Sequence, residues 1–258
     1  MSNTDDMNDT NTNSDIKADE AQLSFYQHSE NSPCGYLPNI SSNSIFINPE
    51  SSPSEDQLNL LHLQGFRRSG RMVYRPECPT CNACHSSRII NNQFTPSKSQ
   101  KRAISRNKDL KLSWVEADFY DEHYALYEEY IAKRHADGEM YPASREQYSG
   151  FLIEGHGTHR FLEARNKNNK LIACCVVDIF YDGLSAIYSY FDPEQDKRSL
   201  GRYMVLALVS QSIQMQLPHT YLGYWIKESS KMNYKANYQP LEVFDGQIWR
   251  KLINDKLI

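Results

Sequence analysis

Between His159 and Ile226 the chain changes its hydrophobic period in a fixed order, and that order constrains the fold more than any other feature. "HRFLEAR" and "KLIACCVVDIFYDG" read as strands joined by the turn "NKNNK", and "LSAIYSYFD" is a third strand entered after Asp182-Gly183. The run "SLGRYMVLALVSQSIQMQL" has helical length and stops at Pro218, and "TYLGYWI" is a further strand. Antiparallel strands followed by a β–loop–α–β unit form an α+β domain. Its loop-to-helix junction, Ser199-Leu200-Gly201, is where a phosphate-bearing or acyl-bearing ligand is expected. Cys174 and Cys175 are adjacent, hence on opposite faces of their strand, and read as core.

The first half is written differently. A short strand is expected around Ser44–Ile47, then a helix capped by Ser54 that runs through Leu58, Leu60, Leu61 and Leu63 to Gly65 as its C′ residue. "RMVYRP" and "SSRIINNQF" read as strands, "SKSQKRAISRNKD" as a basic helix entered from Pro96, and "DEHYALYEEYIAKRHADG" as an amphipathic helix ending at Gly138. Residues 1–22 are polar and acidic and are expected to be disordered. The resulting division is a tail over 1–22, a cysteine-containing basic lobe over 23–115 and a catalytic domain over 116–258.

The formal net charge of −4 conceals an asymmetry. Residues 1–33 carry seven acids against one lysine, whereas residues 61–115 carry eleven Lys and Arg against Glu77 and Asp109. A local positive charge of this size suits a polyanion such as RNA, or a set of carboxylates; the alternative is a solvated surface. The opening residues have no positive segment leading into an apolar run, so no secretory signal is expected. No stretch approaches the roughly 18–20 apolar residues that cross a membrane, so the expectation is a cytoplasmic protein without membrane association. That compartment disfavours structural disulfides.

Cys78, Cys81 and Cys84 form C-x2-C-x2-C, with Cys34 upstream. Thiolates at this spacing suit a tetrahedral zinc or an iron–sulfur cluster; a reduced cluster that packs without metal is the other reading. His85 beside them is a further possible ligand or a polar surface residue.

Four strings narrow the possibilities: "GFRRSGRMVYRPECPTCNACHSSRI" (65–89), "SKSQKR" (97–102), "LSAIYSYFDPEQDKRSLGRYM" (184–204) and "YLGYWIKESSKMNYKANYQPLE" (221–242). In this order they resemble the aminoacyl-tRNA–protein transferases, in the bacterial branch of aspartate/glutamate leucyltransferases, over about residues 25–252. The resemblance implies an acetyltransferase-like (GNAT-like) catalytic domain with a smaller cysteine-containing N-terminal lobe. It implies transfer of leucine from leucyl-tRNA to the N-terminal amine of proteins that begin with Asp or Glu, creating a degradation signal of the N-degron pathway. Some eukaryotic relatives hold an iron–sulfur cluster on N-terminal cysteines, which supports the metal reading of Cys34, Cys78, Cys81 and Cys84. Three other functions compete: an arginyl-tRNA donor, a non-catalytic RNA-binding or metal-dependent adaptor, and an acyl-CoA acyltransferase. Against the last, "DKRSLGRY" lacks a glycine-rich R-x-x-G-x-G/A entry to its helix.

The implied reaction is aminolysis of an ester by an α-amine whose pKa is about 7.7–8.0, so no cofactor is required and only a modest base is needed. The site must position two substrates and stabilise an oxyanion. The expected catalytic residues are Tyr188, Asp192, Ser199 and Tyr224, on and around the strand–helix junction. Trp225 is expected to stack on the donor or line an apolar aminoacyl pocket. Arg67, Arg68, Arg75 and Arg88 are candidates to grip the acidic N-terminal residue, bidentate geometry being natural to guanidinium. Lys98, Lys101, Arg102, Lys231 and Lys235 are expected on tRNA phosphates. Each has a plainer reading: Tyr188 and Trp225 as core, Asp192-Pro193 as a turn, and the arginines as partners of Glu77, Asp192 or Glu242.

Overall fold

The computed structural model describes residues 23–258 except Ser29; the acidic tail expected over 1–22 lies outside the described residues. In chain order the elements are β1 (Phe25–Gln27), β2 (Ser32–Pro33), β3 (Ser41–Ser42), β4 (Ser44–Ile47), α1 (Glu55–Leu63), β5 (Arg67–Ser69), β6 (Met72–Pro76) and β7 (His85–Ile90). They continue with α2 (Lys98–Arg106), β8 (Lys111–Glu116), α3 (Asp121–Arg134), α4 (Arg145–Tyr148), β9 (His159–Arg165), β10 (Leu171–Phe180) and β11 (Gly183–Phe191). The last are α5 (Leu200–Gln214), β12 (His219–Trp225), β13 (Leu241–Phe244), β14 (Trp249–Ile253) and β15 (Lys256–Leu257).

The fold is mixed α/β around a nine-stranded sheet ordered β15-β14-β13-β7-β12-β11-β10-β9-β8. β10 is its most enclosed member, buried from Leu171 to Asp178, and its alternation feeds two cores. Cys175, Val177 and Ala173 pack with Leu200, Met204 and Leu208 of α5 on one face. Cys174 and Val176 pack with Tyr127 and Ile131 of α3 on the other. Both cysteines are therefore core residues on opposite faces, as their adjacency requires.

Local signals set most boundaries. Ser54 accepts from Gln57 N while the Gln57 side chain accepts from Ser54 N, a capping box that starts α1, and Ser97 with Gln100 does the same for α2. Of the boundaries that differ from expectation, two have a visible cause. The strand at "SSRIINNQF" ends at Ile90, because buried Asn91 turns into a 3-10 turn and bonds Ser212 Oγ at 2.7 Å, Leu217 O at 2.8 Å and Thr220 Oγ1 at 2.8 Å. The amphipathic helix ends at Arg134 rather than Gly138, since His135 leaves helical geometry and packs its ring edge-on against Tyr130.

A boundary at residue 115 runs through the large sheet. β7 lies between β12 and β13, and β8 pairs along β9, so strands from both sides of residue 115 share one sheet. The four-stranded sheet β1-β4-β6-β5, with α1 and the core of Leu58, Leu61, Phe66 and Val73, stands apart, as does the two-stranded β2-β3. Two polar contacts rivet the four-stranded sheet to the large one. Arg68 of β5 meets Asp178 of β10, Nε donating at 2.7 and 2.9 Å with both side chains buried. The Tyr224 hydroxyl of β12 is shared between Gly65 O at 3.0 Å and Tyr74 O at 3.2 Å.

Removing one partner of a buried ion pair leaves an uncompensated charge. Asp178→Ala is expected to cost about 3–5 kcal/mol in urea unfolding. Asp121→Ala, which removes the exposed partner of Arg145, is expected to cost under about 1 kcal/mol. Equal losses would show that Arg68–Asp178 is not a rivet.

Candidate active site

β11 and β12 run parallel and pair over three residues each: Gly183 with His219, Leu184 with Thr220, and Ser185 with Tyr221. Beyond that point they part. β11 continues along β10 to Phe191, and β12 continues along β7 to Trp225. Each strand has a bulge beside the fork: Val176 and Val177 face Tyr188 and Ala186, leaving Ile187 extra, and Arg88 and Ser87 face Tyr221 and Gly223, leaving Leu222 extra. A bulge adds local twist and breaks the ladder, which drives the two strands apart.

The fork opens a cleft of about 770 Å³. Ala186, Ile187, Tyr188 and Ser189 form one wall, Leu222, Tyr234 and Tyr238 the other, and Gly201, Arg202 and Val205 of α5 the end. The C-terminal end of α3 adds Tyr130, Arg134, His135 and, just beyond, Asp137. The interior is apolar and aromatic. Its rim is cationic, with exposed Arg134, Arg202 and Lys231, and Asp137 is the single acid among the described lining residues. This size and lining suit a small organic ligand bearing an anionic end.

Tyr188 lines this cleft with its ring packed against Tyr127, Tyr130 and Phe151, and its hydroxyl is buried without a hydrogen-bond partner. Burial, reinforced by Tyr130 and Tyr127, pushes its pKa far up, so it stays a proton donor. Ser199 stands before α5 with φ 56, a left-handed conformation uncommon outside glycine, and its side chain makes no capping bond. The turn it makes brings Gly201 and Arg202 to the cleft.

Other expected residues are placed elsewhere. Asp192 does not line the cleft; it pins a turn, accepting from Glu194 N at 3.0 Å, Gln195 Nε2 at 2.8 Å and Lys170 Nζ at 3.3 Å. Burial pushes its carboxyl up, but these three bonds outweigh it and hold the pKa low. Tyr224, 8% exposed, serves the inter-sheet contact, and Trp225, 4% exposed, is core beside Val205 and Leu222. Among the arginines, Arg68 is taken by Asp178. Arg88 is taken by Glu242 at 2.8 Å and lies 3.7 Å from Asp182. Arg75 is half-buried over the Phe66 ring and donates to Gln64 O. Arg67 is buried without an ion pair among the described residues. Lys235, expected on phosphate, is instead 5% exposed in the cleft wall.

Lys98, Lys101 and Arg102 are exposed on α2, whose Gln100 Nε2 donates to Asn237 O at 3.1 Å and so holds the basic helix beside the cleft wall. A second surface joins Arg106 to Lys197 and Arg198 ahead of α5, with Asp109 paired to Arg198. Sequence reasoning missed Arg134, Arg202, Lys197 and Arg198. The last three lie in or beside the quoted string "DKRSLGRY", while Arg134 carried no signal until α3 was placed across the fork.

The four cysteines of the N-terminal segment converge. Cys34, Cys78, Cys81 and Cys84 line one cavity of about 30 Å³, and Cys78 and Cys81 are bridged by backbone. Burial, then the thiols of Cys78, Cys34 and Cys81, push the Cys84 thiol up to about 12. The donor set has the softness that zinc or an iron–sulfur cluster requires. Among the described residues, however, no three such side chains are already placed to hold one ion. Nor is any helix among them long and apolar enough to cross a membrane.

The family description "Arginine-tRNA-protein transferase, N terminus" matches residues 32–102, and "Arginine-tRNA-protein transferase, C terminus" matches residues 122–245. The aspartate/glutamate leucyltransferase of Chromohalobacter salexigens is 46% identical over 222 residues, 85% of this chain and 90% of that one. That of Saccharophagus degradans is 45% identical over 221 residues, 86% and 94%. Among solved structures, L-PGS from Bacillus licheniformis aligns with a TM-score of 0.44 at 12% identity, covering 66% of this chain and 50% of that one.

The cysteine cavity adjoins the cleft at Tyr36, whose backbone N–H donates to Cys34 Sγ at 3.4 Å, but no cysteine lines the cleft, so its loss should be felt in folding first. Cys81→Ser is expected to lower the melting temperature while leaving the choice between substrates unchanged. A soluble variant with the parental melting temperature and no turnover would put the cluster in the chemistry.

Proposed function

This chain belongs to the arginine-tRNA-protein transferase family, among its aspartate/glutamate leucyltransferases, and from that premise we propose that the forked cleft moves leucine from leucyl-tRNA to the N-terminal amine of proteins beginning with Asp or Glu. The observation that carries this reading is the lining of the cleft. Its interior is apolar, as a leucyl side chain requires, and its one described acid, Asp137, is exposed. An arginyl donor would call for a buried carboxylate. The fork itself supports an acetyltransferase-like domain, with α5 entering where two parallel strands separate.

In this reading the terminal adenosine of the tRNA lies across the α5 entry, with Arg134, Arg202 and Lys231 near its phosphates. The exposed cations of α2 and the Arg106–Lys197–Arg198 surface hold the rest of the acceptor stem. The acceptor amine reaches the ester carbonyl from the open side of the fork. A C–N bond forms as the C–O bond to the ribose breaks, and the proton lost by the amine is returned to the ribose oxygen. The Tyr188 hydroxyl donates to the carbonyl oxygen as negative charge develops there. The chemistry needs no metal. Cys34, Cys78, Cys81 and Cys84 would hold one, and it would supply folding energy to the N-terminal segment rather than take part in transfer. The cytoplasm, where charged tRNA is made, is the proposed place of action.

The test offers leucyl- and arginyl-tRNA with peptides beginning with Glu, Asp, Lys or Ala, read by mass. A gain of one leucine on Glu and Asp alone is expected; arginine addition, or no shift with any donor, overturns the reading. Tyr188→Phe, which removes one oxygen, is expected to lower kcat by roughly 100-fold. Lys101→Ala is expected to weaken tRNA binding for every acceptor, reducing the slope of log K against log salt by about 0.7–0.9, with the preference for Glu over Ala intact.

A further inference from the structure

Two cations are buried beside the fork without an ion pair among the described residues, the Asp178 carboxylate in Arg67's cavity being taken by Arg68. Arg67 of β5 is 6% exposed. Its Nη1 is used on His62 O at 3.0 Å, His62 Nδ1 at 3.1 Å and Phe66 O, but its buried Nε and Nη2 have no hydrogen-bond partner. The nearby carboxylate of Asp182 is already occupied by Tyr221 at 2.6 Å and His219 at 3.0 Å, with Arg88 at 3.7 Å. Lys235 Nζ is tied to Tyr224 O and lies 3.2 Å from Met232 Sδ, again without an acid. Gly223, at φ 74 in the β12 bulge, leaves it room: a Cβ there would stand 3.8 Å from Nζ.

The two charges sense one another. Burial, then the Arg67 guanidinium, pushes the Lys235 amine down to about 7, with the Cys84 thiol opposing weakly. Like charges buried together without a counter-ion are unfavourable in the free protein unless an anion arrives. The bulged residue Ile187 lines both the large cleft, which Lys235 shares, and the small cavity into which Arg67 faces. Lys235 and the free edge of Arg67 thus face two cavities that meet at Ile187.

We propose that Arg67 and Lys235 together form the receptor for the side-chain carboxylate of the acceptor's N-terminal Asp or Glu. This rests on the leucyl-transfer reading above and adds to it the residues that select the acceptor. The carboxylate supplies the missing negative charge, taking the Arg67 Nε and Nη2 donors and the Lys235 amine. An uncharged N-terminal residue leaves both cations buried and unpaired, and is rejected for that reason. Selectivity thus comes from a defect held in the free protein, corrected only by the right substrate. Lys235 is accordingly not a phosphate ligand: its amine lies within the wall rather than on the cationic rim.

The experiment compares kcat/KM for Glu-led and Gln-led peptides, which differ in charge but hardly in shape, with leucyl-tRNA as donor. It uses the full chain and the variants Arg67→Met, Arg67→Lys and Lys235→Met. The parent must transfer leucine to the Glu-led peptide; if it does not, the functional reading fails before the receptor is tested. With transfer established, Arg67→Met and Lys235→Met are each expected to lower the Glu/Gln ratio at least tenfold, with Arg67→Lys between them and the parent. The affinity of both Met variants for tRNA should stay within twofold. Lys235→Met should also melt at or above the parental temperature, because an uncompensated buried charge has been removed. A parental Glu/Gln ratio in both Met variants overturns the proposal. A loss confined to tRNA affinity and its salt slope returns Lys235 to phosphate, and a lowered melting temperature with an unchanged ratio makes it structural.

Discussion

Everything that gives this protein a site follows from the separation of β11 and β12 after Ser185 and Tyr221. A parallel pair inside a nine-stranded sheet would ordinarily continue, since each added residue satisfies backbone donors and acceptors. Here the bulges at Ile187 and Leu222 interrupt both outer ladders at the same level. The two strands stay anchored, one to β10 and the other to β7, while the space between them fills with side chains and the entry of α5. The sheet is therefore rigid on both sides of an opening in its middle, which is the condition for holding two reactants in fixed relation.

The polar groups around that opening divide by whether they are satisfied. Arg68–Asp178 and the Tyr224 hydroxyl join the small sheet to the large one. Arg88 is similarly spent on Glu242 and Tyr221. Arg67, the neighbour of Arg68 in β5, finds no such partner among the described residues. One strand thus supplies a structural arginine and an unsatisfied one. The Tyr188 hydroxyl is unsatisfied too, and lies on the same side of the problem. Unpaired buried donors are few in a stable fold, and the two residues carrying them here, Arg67 and Tyr188, point to groups that a ligand completes.

The surrounding charge has a different character. Lys98, Lys101, Arg102, Arg106, Lys197 and Arg202 are exposed or open to solvent, where a cation costs little and binds phosphate without reading sequence. Affinity for a long polyanion and choice of a small carboxylate are served by cations of the same sign placed at different depths. The depth sets the dielectric, and the dielectric sets how much an unmatched charge costs.

The sequence by itself determined the elements and their order. Ser54 and Ser97 start their helices through capping boxes written three residues apart, and the adjacent cysteines of β10 could only face two cores. The four strings also carried the family, because they preserve residues whose neighbours are close in the chain. Tertiary structure alone decided the functions of individual side chains. Nothing in "GFRRSG" distinguishes Arg67 from Arg68; the distinction needs Asp178, 110 positions away, to approach one of them. Tyr224 and Trp225 read as pocket residues because aromatic strand residues are suited to both roles, and only the packing of β12 on Val205 and Gly65 made them structural. Lys235 read as a surface cation for the same reason. Its burial is set by a bulge and a glycine on another strand, and burial is a property of the assembled chain rather than of a residue.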